Sequence, residues 1–577
     1  MAARFVVAVM ALAGSVAAVA VPKPQPVIKE RAGTSVTMVL PMGTVIGTSS
    51  DGVETYNAIP FAEPPTGDLR LKPPVKKTTS FGVLDGTGPA ASCPQFVENT
   101  DGSFLDQVIS TLADSPFIQT ITKQSEDCLT VDVSRPAGTT PEDNLPVLFW
   151  IFGGGFELGG TNVYDGSSLV ADSISLGKPI VFVAVNYRVG GFGFLPGAEI
   201  LADGASNLGL LDQRLGLEWT ADNIGYFGGD SSKVTIWGES AGAISVLDQM
   251  AMYDGDNTYN GNALFRGAIM DSGSITPADP VDCPKGQAIY NQVVSKAGCA
   301  DSADTLACLR SADYTTFLNA VNSVPGILSY SSLALSYLPR PDGNVLTDSP
   351  DVLIGSNKYA AVPMIVGDQE DEGTFFALFQ SNITNTDQIV QYLSTYYFNS
   401  ATTDQLQALV DTYPDDLSSG SPFNTLLLND IYPEFKRLAA ILGDLAFTLT
   451  RRVFLTAANE VNPSVPSWSY LASYDYGTAV LGTFHASDLL QVFYGILPNV
   501  ASQDIHSYYL NFVYNLDPNS ASGGTSSTDS QVSLNWPQWG VDNQLVQFYA
   551  LSSNLLADTF RSSSFSWISD NVAALRV

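Results

Sequence analysis

The sequence predicts an α/β fold with a large, mostly parallel sheet and helices on both faces of that sheet. Short, continuously apolar runs indicate strands that are buried on both sides, and they alternate with longer proline-free runs typical of helices. One of these strands leads through a glycine-flanked serine directly into a helix. Together these observations place a tight, exposed turn at the end of a buried strand.

The predicted elements follow one another in the order that such a fold requires. Val36–Ile46 alternates like a strand, and the stretch Gly52–Pro74 that follows is rich in turn residues. Helices are predicted at Leu208–Asn223 and Ala241–Met252. Buried strands are predicted at Pro146–Phe152, Ile180–Tyr187, Lys233–Trp237, Arg266–Met270 and Val362–Val366.

The N-terminus has the features of a secretory signal. Arg4 gives the positive start, Phe5–Leu12 the apolar run and Ala18–Ala20 a small-residue cleavage site, so residues 1–20 are predicted to be removed. Residues 21–31 are interpreted either as a pro-segment or as a tail, and residues 32–577 as a single catalytic domain. No later stretch approaches the length of a transmembrane anchor.

The charge balance argues against nucleic acid as a partner. The 577 residues include 58 acidic and 26 basic side chains, which give a net charge of -32. Nucleic-acid binding needs a basic face, so that function is disfavoured. The excess of acids suits a soluble, extracellular protein.

Secretion favours disulfides, and the chain has five cysteines: Cys93, Cys128, Cys283, Cys299 and Cys308. Cys299 and Cys308 are close neighbours, whereas Cys93 and Cys128 flank one segment, but connectivity does not follow from sequence alone. One cysteine must remain unpaired within the chain. No C-x-x-C or Cys/His cluster indicates a metal site.

Asn382-Ile383-Thr384 is an N-glycosylation sequon. Asn462-Pro463-Ser464 is excluded because proline occupies its middle position. Secretion favours a glycan on Asn382 over an unmodified surface loop.

Five apolar residues within the segment 94–120 fall on one helical face: Phe104, Leu105, Val108, Ile109 and Leu112. Most amphipathic helices are simply docked on a core. Because this predicted helix lies between Cys93 and Cys128, a mobile flap is favoured at least as strongly as a docked helix.

The pattern that carries the chemistry is G-x-S-x-G at Gly238–Gly242. In its strand–turn–helix context it indicates a nucleophile elbow, although the pattern alone is also compatible with an ordinary loop. A serine needs a base to accept its proton, and the chain has only two histidines. His485, in a glycine-containing loop, is favoured over His506, which lies in a helix-like stretch.

The base needs a carboxylate, and in an α/β-hydrolase the chain order is serine, acid, histidine. One strand-to-loop junction between Ser240 and His485 is rich in acids, and spacing cannot choose among Asp368, Glu370, Asp371 and Glu372. Glu239, between the elbow glycines, is interpreted as structural and as a partner for a core arginine.

A glycine-rich turn follows the strand that ends at Phe152. Gly153-Gly154-Gly155 does not fit a G-x-G-x-x-G phosphate loop, because the third glycine would fall at Leu158. We therefore expect backbone N–H groups of this turn to form an oxyanion hole with the N–H of Ala241.

Several long segments, in order, resemble the type-B carboxylesterase/cholinesterase family, and most closely its fungal lipases and sterol esterases of the Candida rugosa lipase type. The likeness runs from about residue 36 to the end. The matching segments include NAIPFAEPPTGDLRLKPP at Asn57–Pro74, SEDCLTVDV at Ser125–Val133, WIFGGGFELGG at Trp150–Gly160, VNYRVGGFGFL at Val185–Leu195, GGDSSKVTIWGESAGA at Gly228–Ala243, SYLPRPDG at Ser336–Gly343, GDQEDEGTFF at Gly367–Phe376 and GTFHASD at Gly482–Asp488.

The resemblance implies a role for each candidate residue. It implies an α/β-hydrolase with Ser240 as nucleophile, His485 as base and Glu372 as acid. It also implies that Gly154, Gly155 and Ala241 are the oxyanion donors, that the disulfides are Cys93–Cys128 and Cys299–Cys308, and that a lid spans about 93–128. It leaves Cys283 unpaired and implies no cofactor and no metal.

The function expected is that of a secreted serine hydrolase that cleaves sterol esters and triacylglycerols at oil–water or micelle interfaces. The face at 104–112 is expected to favour such interfaces and self-association, for instance as a homodimer. A carboxylesterase for short soluble esters is the alternative enzyme, with a choline esterase less favoured. A non-catalytic binding module is the alternative from another class.

Overall fold

The computed structural model describes residues 33–96, 123–475, 478–493, 499–519 and 534–577. The predicted signal at 1–20, the segment 21–31 and the amphipathic face at 104–112 lie outside these residues. Among the residues described, no helix is long and apolar enough to cross a membrane.

A single large sheet organises the described residues. Its strands lie in the order β1-β2-β3-β5-β7-β6-β8-β11-β12-β13-β14-β15, and β4 pairs with β2. Neighbours from β7 to β14 run parallel, and the flanking strands are mostly antiparallel. The strands are β1 Thr34–Leu40, β2 Gly43–Ser50, β3 Val53–Pro60, β4 Gly82–Asp85, β5 Thr130–Pro136, β6 Leu145–Ile151, β7 Val181–Val185, β8 Gly229–Glu239, β9 Thr258–Tyr259, β10 Asn262–Ala263, β11 Gly267–Asp271, β12 Met364–Gln369, β13 Ser467–Ala472, β14 Gln544–Tyr549 and β15 Ser552–Ala557, with β9 and β10 forming a separate pair.

Helices fill most of the connections between the strands. They are α1 Ser167–Ser175, α2 Gly190–Gly193, α3 Ala198–Asp203, α4 Leu208–Asn223, α5 Ala241–Gly255, α6 Pro284–Lys296, α7 Thr305–Ser311, α8 Tyr314–Val321, α9 Pro350–Gly355, α10 Thr386–Tyr392, α11 Thr403–Asp411, α12 Phe435–Gly443, α13 Leu449–Val461, α14 Ser487–Val492, α15 Val500–Asn515, α16 Trp539–Asp542 and α17 Ser562–Asn571. A π-helical turn at Asp444–Thr448 joins α12 to α13.

Helices cover both faces of the sheet. Successive side chains of a strand point to opposite faces. In β6, Phe149 meets α4, where a Cβ on Gly216 would lie 3.5 Å from its ring. Trp150, on the other face, packs on Trp237, whose ring contacts Tyr509 of α15. The predicted fold class is therefore confirmed.

The predicted elements hold in the core and differ at the edge. Helix α4 matches its predicted bounds, and the five predicted buried strands correspond to β6, β7, β8, β11 and β12. The single strand expected at Val36–Ile46 is wrong, because the chain turns at Pro41-Met42 and continues as the antiparallel strand β2. Proline has no N–H for the ladder, so the turn at Pro41 ends the first strand.

Two disulfides close loops of different length. Cys93–Cys128 spans 35 positions and Cys299–Cys308 spans 9, and these are the pairs that the resemblance implies. Cys283 is a buried free thiol at the N-terminus of α6. Asn382 is exposed, so the predicted glycan site is accessible.

Helix α5 carries a buried carboxyl group, Asp248, that is 1% exposed. Its Oδ1 atom has no hydrogen-bond partner among the residues described. Burial raises the pKa of Asp248 to about 8. The folded protein therefore holds a proton there that the unfolded chain releases at much lower pH.

We expect Asp248→Asn to increase stability more at pH 8.5 than at pH 5. Because the folded pKa lies above the ordinary value of 3.8, the folded state binds the extra proton between about pH 4 and pH 8. The free energy of unfolding of the wild type therefore falls as the pH rises through this window. The neutral amide removes that loss, so its benefit should be on the order of a few kcal/mol larger at the higher pH.

Urea unfolding at the two pH values measures the difference. Asp301→Asn, at an exposed position, is the matched control and should change stability equally at both. An identical effect of Asp248→Asn at pH 5 and 8.5 would contradict the prediction.

Candidate active site

Ser240 lies at the turn between β8 and α5, in a backbone conformation that side chains rarely adopt. Its φ and ψ are 57° and -126°. Glycine neighbours make the turn possible: a Cβ on Gly238 would lie 2.3 Å from the carbonyl oxygen of Gly242, and a Cβ on Gly242 would lie 2.1 Å from that of Ile151. The geometry of the expected strand–turn–helix elbow is therefore present, with the serine held at the carboxyl end of the parallel strands.

Two loops bring a base and an acid to this serine. His485, in the loop after β13, places its Nε2 atom 2.8 Å from Ser240 Oγ. Its Nδ1 atom lies 2.5 Å from Glu372 Oε2. The other carboxylate oxygen, Glu372 Oε1, accepts from the backbone N–H of Gln369 at 2.7 Å. All three side chains are buried, and the hydrogen bonds fix the tautomer that leaves Nε2 facing the serine.

Aromatic rings hold the imidazole in place. The ring centroid of Phe447 lies 4.3 Å from that of His485, and the centroid of Phe376 lies 5.1 Å from it. These apolar contacts exclude water from the base.

The other acids of the 368–372 cluster have separate partners. Asp368 accepts from Arg451 Nε at 2.6 Å, in a fully buried ion pair. Asp371 accepts from Ser421 Oγ at 2.8 Å and from the N–H of Thr483 at 3.0 Å. Glu372 is therefore the member of this cluster that reaches the histidine.

The glycine turn after β6 packs directly on the elbow. A Cβ on Gly153 would lie 2.5 Å from the carbonyl oxygen of Glu239 and 2.9 Å from Ser240 Cβ. Gly154 and Gly155 have φ values of 103° and 61°, which turn the backbone around the serine. Gly155 and Ala241 line the same pocket as Ser240, which is the arrangement that an oxyanion hole requires.

Glu239 does not pair with an arginine among the residues described, contrary to the sequence interpretation. Its Oε1 atom lies 3.4 Å from His485 Nε2, and among the residues described neither carboxyl oxygen has a hydrogen-bond partner. Burial raises the pKa of Glu239 well above its ordinary value, and the nearby carboxyl groups of Asp488 and Glu372 add to the shift. Burial likewise raises the pKa of Asp488. A raised pKa favours the neutral form of a buried acid, and that form needs no arginine as a counter-charge.

Asp271 is a site residue that the sequence interpretation missed. Its backbone oxygen accepts from the N–H of Ser240 at 2.9 Å. Its side chain accepts from Trp237 Nε1 at 2.7 Å and from the hydroxyl groups of Tyr470 and Tyr509 at 2.9 and 2.5 Å. The position of Asp271 at the end of β11, the strand beside β8, is a signal that could have indicated this role.

His506 lies apart from this site, as expected for a packing residue. Its Nδ1 atom is 2.9 Å from Asp172 Oδ2, and its Nε2 atom is 3.2 Å from the carbonyl oxygen of Val492. These contacts fasten α15 to neighbouring segments.

An apolar pocket opens beside Ser240. Aliphatic and aromatic side chains form most of its wall, including Ile244, Ile327, Leu335, Leu442 and Phe447. Such a wall favours the binding of hydrocarbon. Within the ranges described, no group of three or more His, Cys, Asp or Glu is arranged to hold a metal ion.

The model of the carboxylesterase family matches residues 34–564. This chain belongs to the carboxylesterase family. It is a carboxylic-ester hydrolase, and the family expected from the motifs is confirmed.

Fungal lipases are similar to the chain over nearly all of its length. Secreted lipase 1 of Botryotinia fuckeliana is 61% identical, over 96% of this chain and 95% of that protein. Secreted triacylglycerol lipase LIP1 of Gibberella zeae is 59% identical, over 96% and 93%. Lipase 4 of Diutina rugosa is 44% identical, over 92% and 95%.

A solved structure shares the fold. The crystal structure of Aspergillus niger EstA superposes with a TM-score of 0.78 at 26% identity, over 94% of this chain and 99% of that one.

We expect Gly153→Ala to reduce kcat/KM for p-nitrophenyl butyrate by about 10²-fold or more. The added methyl group would contact the backbone of Glu239 and displace the glycine turn from the serine. Loss of one oxyanion donor reduces turnover by about 10²–10³. Gly88→Ala, in an open and exposed position, is the control and should retain wild-type rates. Full activity of Gly153→Ala would contradict the packing argument.

Proposed function

We propose that this protein is a secreted serine esterase that hydrolyses triacylglycerols and sterol esters through an acyl-enzyme on Ser240. The observation that carries the proposal is the buried hydrogen-bonded series Ser240–His485–Glu372, which opens into an apolar pocket. The names of the fungal relatives, which include a secreted triacylglycerol lipase, support both secretion and a lipid ester substrate.

The mechanism follows from the atoms that face one another. Ser240 Oγ attacks the ester carbonyl carbon while His485 Nε2 takes its proton. The N–H groups of Gly154, Gly155 and Ala241 stabilise the oxyanion of the tetrahedral intermediate. His485 then protonates the departing alcohol, and a water molecule, deprotonated by the same nitrogen, releases the fatty acid from the serine. Glu372 stabilises the imidazolium throughout.

The pocket supports the proposed preference for lipid esters. Its apolar wall can remove an acyl chain from water, and each buried CH₂ group contributes about 0.8 kcal/mol. A short soluble ester gains less from such a wall. The alternative of a short-ester carboxylesterase is thus less favoured by the cavity, and a non-catalytic binding module is disfavoured by the assembled series of side chains.

Some expectations from the sequence stay predictions. Preference for lipid interfaces and self-association through the face at 104–112 concern residues outside those described. Glycosylation at Asn382 also stays a prediction, as does removal of the segment 21–31.

The substrate proposal is tested by parallel hydrolysis of a long-chain triacylglycerol, a long-chain cholesteryl ester and a short p-nitrophenyl ester. We expect activity on both lipid esters, because both present a long acyl chain to the pocket. Ser240→Ala should lose at least about 10⁴-fold in turnover on all three. Hydrolysis of the short ester alone would contradict the lipid assignment, and an active Ser240→Ala would contradict the mechanism.

Matched variants test the roles of the base and the acid. His485→Ala should lose activity as severely as the serine variant. His506→Ala should keep its activity, because His506 contacts Asp172 and lies apart from the site. Glu372→Gln should lose about 10³–10⁴-fold because the amide stabilises no imidazolium. Glu370→Gln, two positions earlier, should stay within a few-fold of the wild type. Steady-state kinetics on p-nitrophenyl butyrate compares all four, and equal losses within either pair would contradict the assignment.

A further inference from the structure

The structure exposes three consecutive leucines in the segment that precedes α12. The exposed fractions of Leu426, Leu427 and Leu428 are 63%, 74% and 73%, and Ile431 adds a side chain that is 40% exposed. We call residues 424–431 the leucine loop. Scattered exposed leucines are common on protein surfaces, but a contiguous apolar ridge indicates an interaction surface.

The leucine loop is held in shape by buried polar contacts. Lys436 is 2% exposed, and its Nζ atom donates to Thr425 Oγ1 at 2.9 Å and to the carbonyl oxygens of Leu426 and Leu417 at 3.0 and 2.5 Å. These acceptors use all three donors of the ammonium group. Leu426 itself has φ 51°, a conformation that is unfavourable for leucine and is maintained by these contacts.

Three ties join the leucine loop and its flanks to the active site. Asn429 Oδ1 accepts from the N–H of Val480, five positions before His485. The N–H of Phe423 donates to Asp371, the neighbour of Glu372. The Tyr432 hydroxyl donates to the carbonyl oxygen of Ala377, which follows the phenylalanine that contacts the imidazole. The leucine loop is therefore fastened to the loops that carry Glu372 and His485.

The charges around the leucine loop specify the kind of surface it fits. Asp415 and Asp416 are exposed, whereas the basic residues between 411 and 437, Lys436 and Arg437, are buried. Arg561, which packs on the ring of Phe423, is paired with Asp444. A surface that binds anionic phospholipid presents basic side chains, so this one suits an uncharged apolar surface.

We propose that Leu426–Leu428 insert into the surface of neutral lipid ester droplets and hold the protein at that surface. The proposal rests on the proposed function and names the physical state of its substrate. It concerns the leucine loop and makes no use of the segment between Cys93 and Cys128.

The test compares the double variant L427S/L428S with the wild type on triolein droplets coated with phosphatidylcholine. Binding is measured by depletion of protein from the aqueous phase after flotation. We expect at least about tenfold weaker binding and a matching fall in hydrolysis at low droplet area, because two large apolar side chains no longer insert. The kcat/KM for soluble p-nitrophenyl butyrate should stay within about twofold of the wild type. Leu426 is left in place because its unusual backbone shapes the loop.

Two control variants separate this role from general effects. L551S removes a leucine that is 88% exposed between β14 and β15, and it should bind droplets normally. L427M/L428M keeps apolar bulk and should also bind normally. Droplet binding by L427S/L428S equal to that of the wild type or of L551S would overturn the proposal. Tighter binding of the wild type to phosphatidylglycerol than to phosphatidylcholine would overturn the neutral-surface assignment.

Size-exclusion chromatography distinguishes an interface between copies of the chain. If L427S/L428S abolished a dimer and left droplet binding unchanged, the leucine loop would be a self-association surface and the proposal would be wrong. Ser240→Ala should bind droplets like the wild type without hydrolysing them. If the wild type hydrolysed no lipid ester, the proposed function would be contradicted. If the wild type hydrolysed lipid esters normally and the loop variant still bound droplets like the wild type, only the droplet proposal would be contradicted.

Discussion

Close backbone packing behind Ser240 is the constraint on which the rest of the site depends. The carbonyl oxygen of Ile151, at the end of β6, occupies the space where a Cβ on Gly242 would be, only 2.1 Å from that position. This contact brings the end of β6 against the start of α5, and it is possible only without a side chain. Because β6 and β8 are neighbours in the sheet, the glycine turn that follows β6 must then lie beside the serine. One close approach therefore positions both the nucleophile and the expected oxyanion donors.

The electrostatics of the site depend on how many buried acids keep their charge. Glu239 and Glu372 both lie beside the imidazole of His485. Burial raises the pKa of Glu239 well above its ordinary value, and the carboxyl groups of Asp488 and Glu372 add to the shift. Burial also raises the pKa of Asp488, with Asp271 and Glu372 adding to it. Glu372, which accepts two hydrogen bonds, is the carboxyl group placed to face the imidazolium when it forms.

Sequence patterns predicted those parts of the molecule that local physics determines. The buried strands and α4 follow from apolar runs, and Ser240 follows from a turn that only glycine neighbours allow. The scarcity of histidine singled out His485. The acid could not be chosen from the residues themselves, because Asp368, Asp371 and Glu372 lie at one strand-to-loop junction and differ only in the distant partners that folding brings to them, namely Arg451, Ser421 and His485. The raised pKa of Glu239 was missed for the same reason, since burial in the folded core and carboxyl groups remote in sequence cause it.

Asp371 and Glu372, which are adjacent on the loop after β12, connect the active site to the molecular surface. Glu372 faces inward to the imidazole, whereas Asp371 accepts from Ser421, from the N–H of Phe423 and from the N–H of Thr483. The first two partners belong to the segment that leads into the leucine loop, and the third belongs to the loop that carries His485. A carboxyl group that is 1% exposed thus ties the segment before the leucine loop to the loop that carries His485. Because breaking these bonds would leave a buried carboxyl group unsatisfied, a shift of that segment is coupled to the loops of the proposed base and acid. A lipid surface that binds the leucine loop therefore binds a segment that is fastened to those two loops.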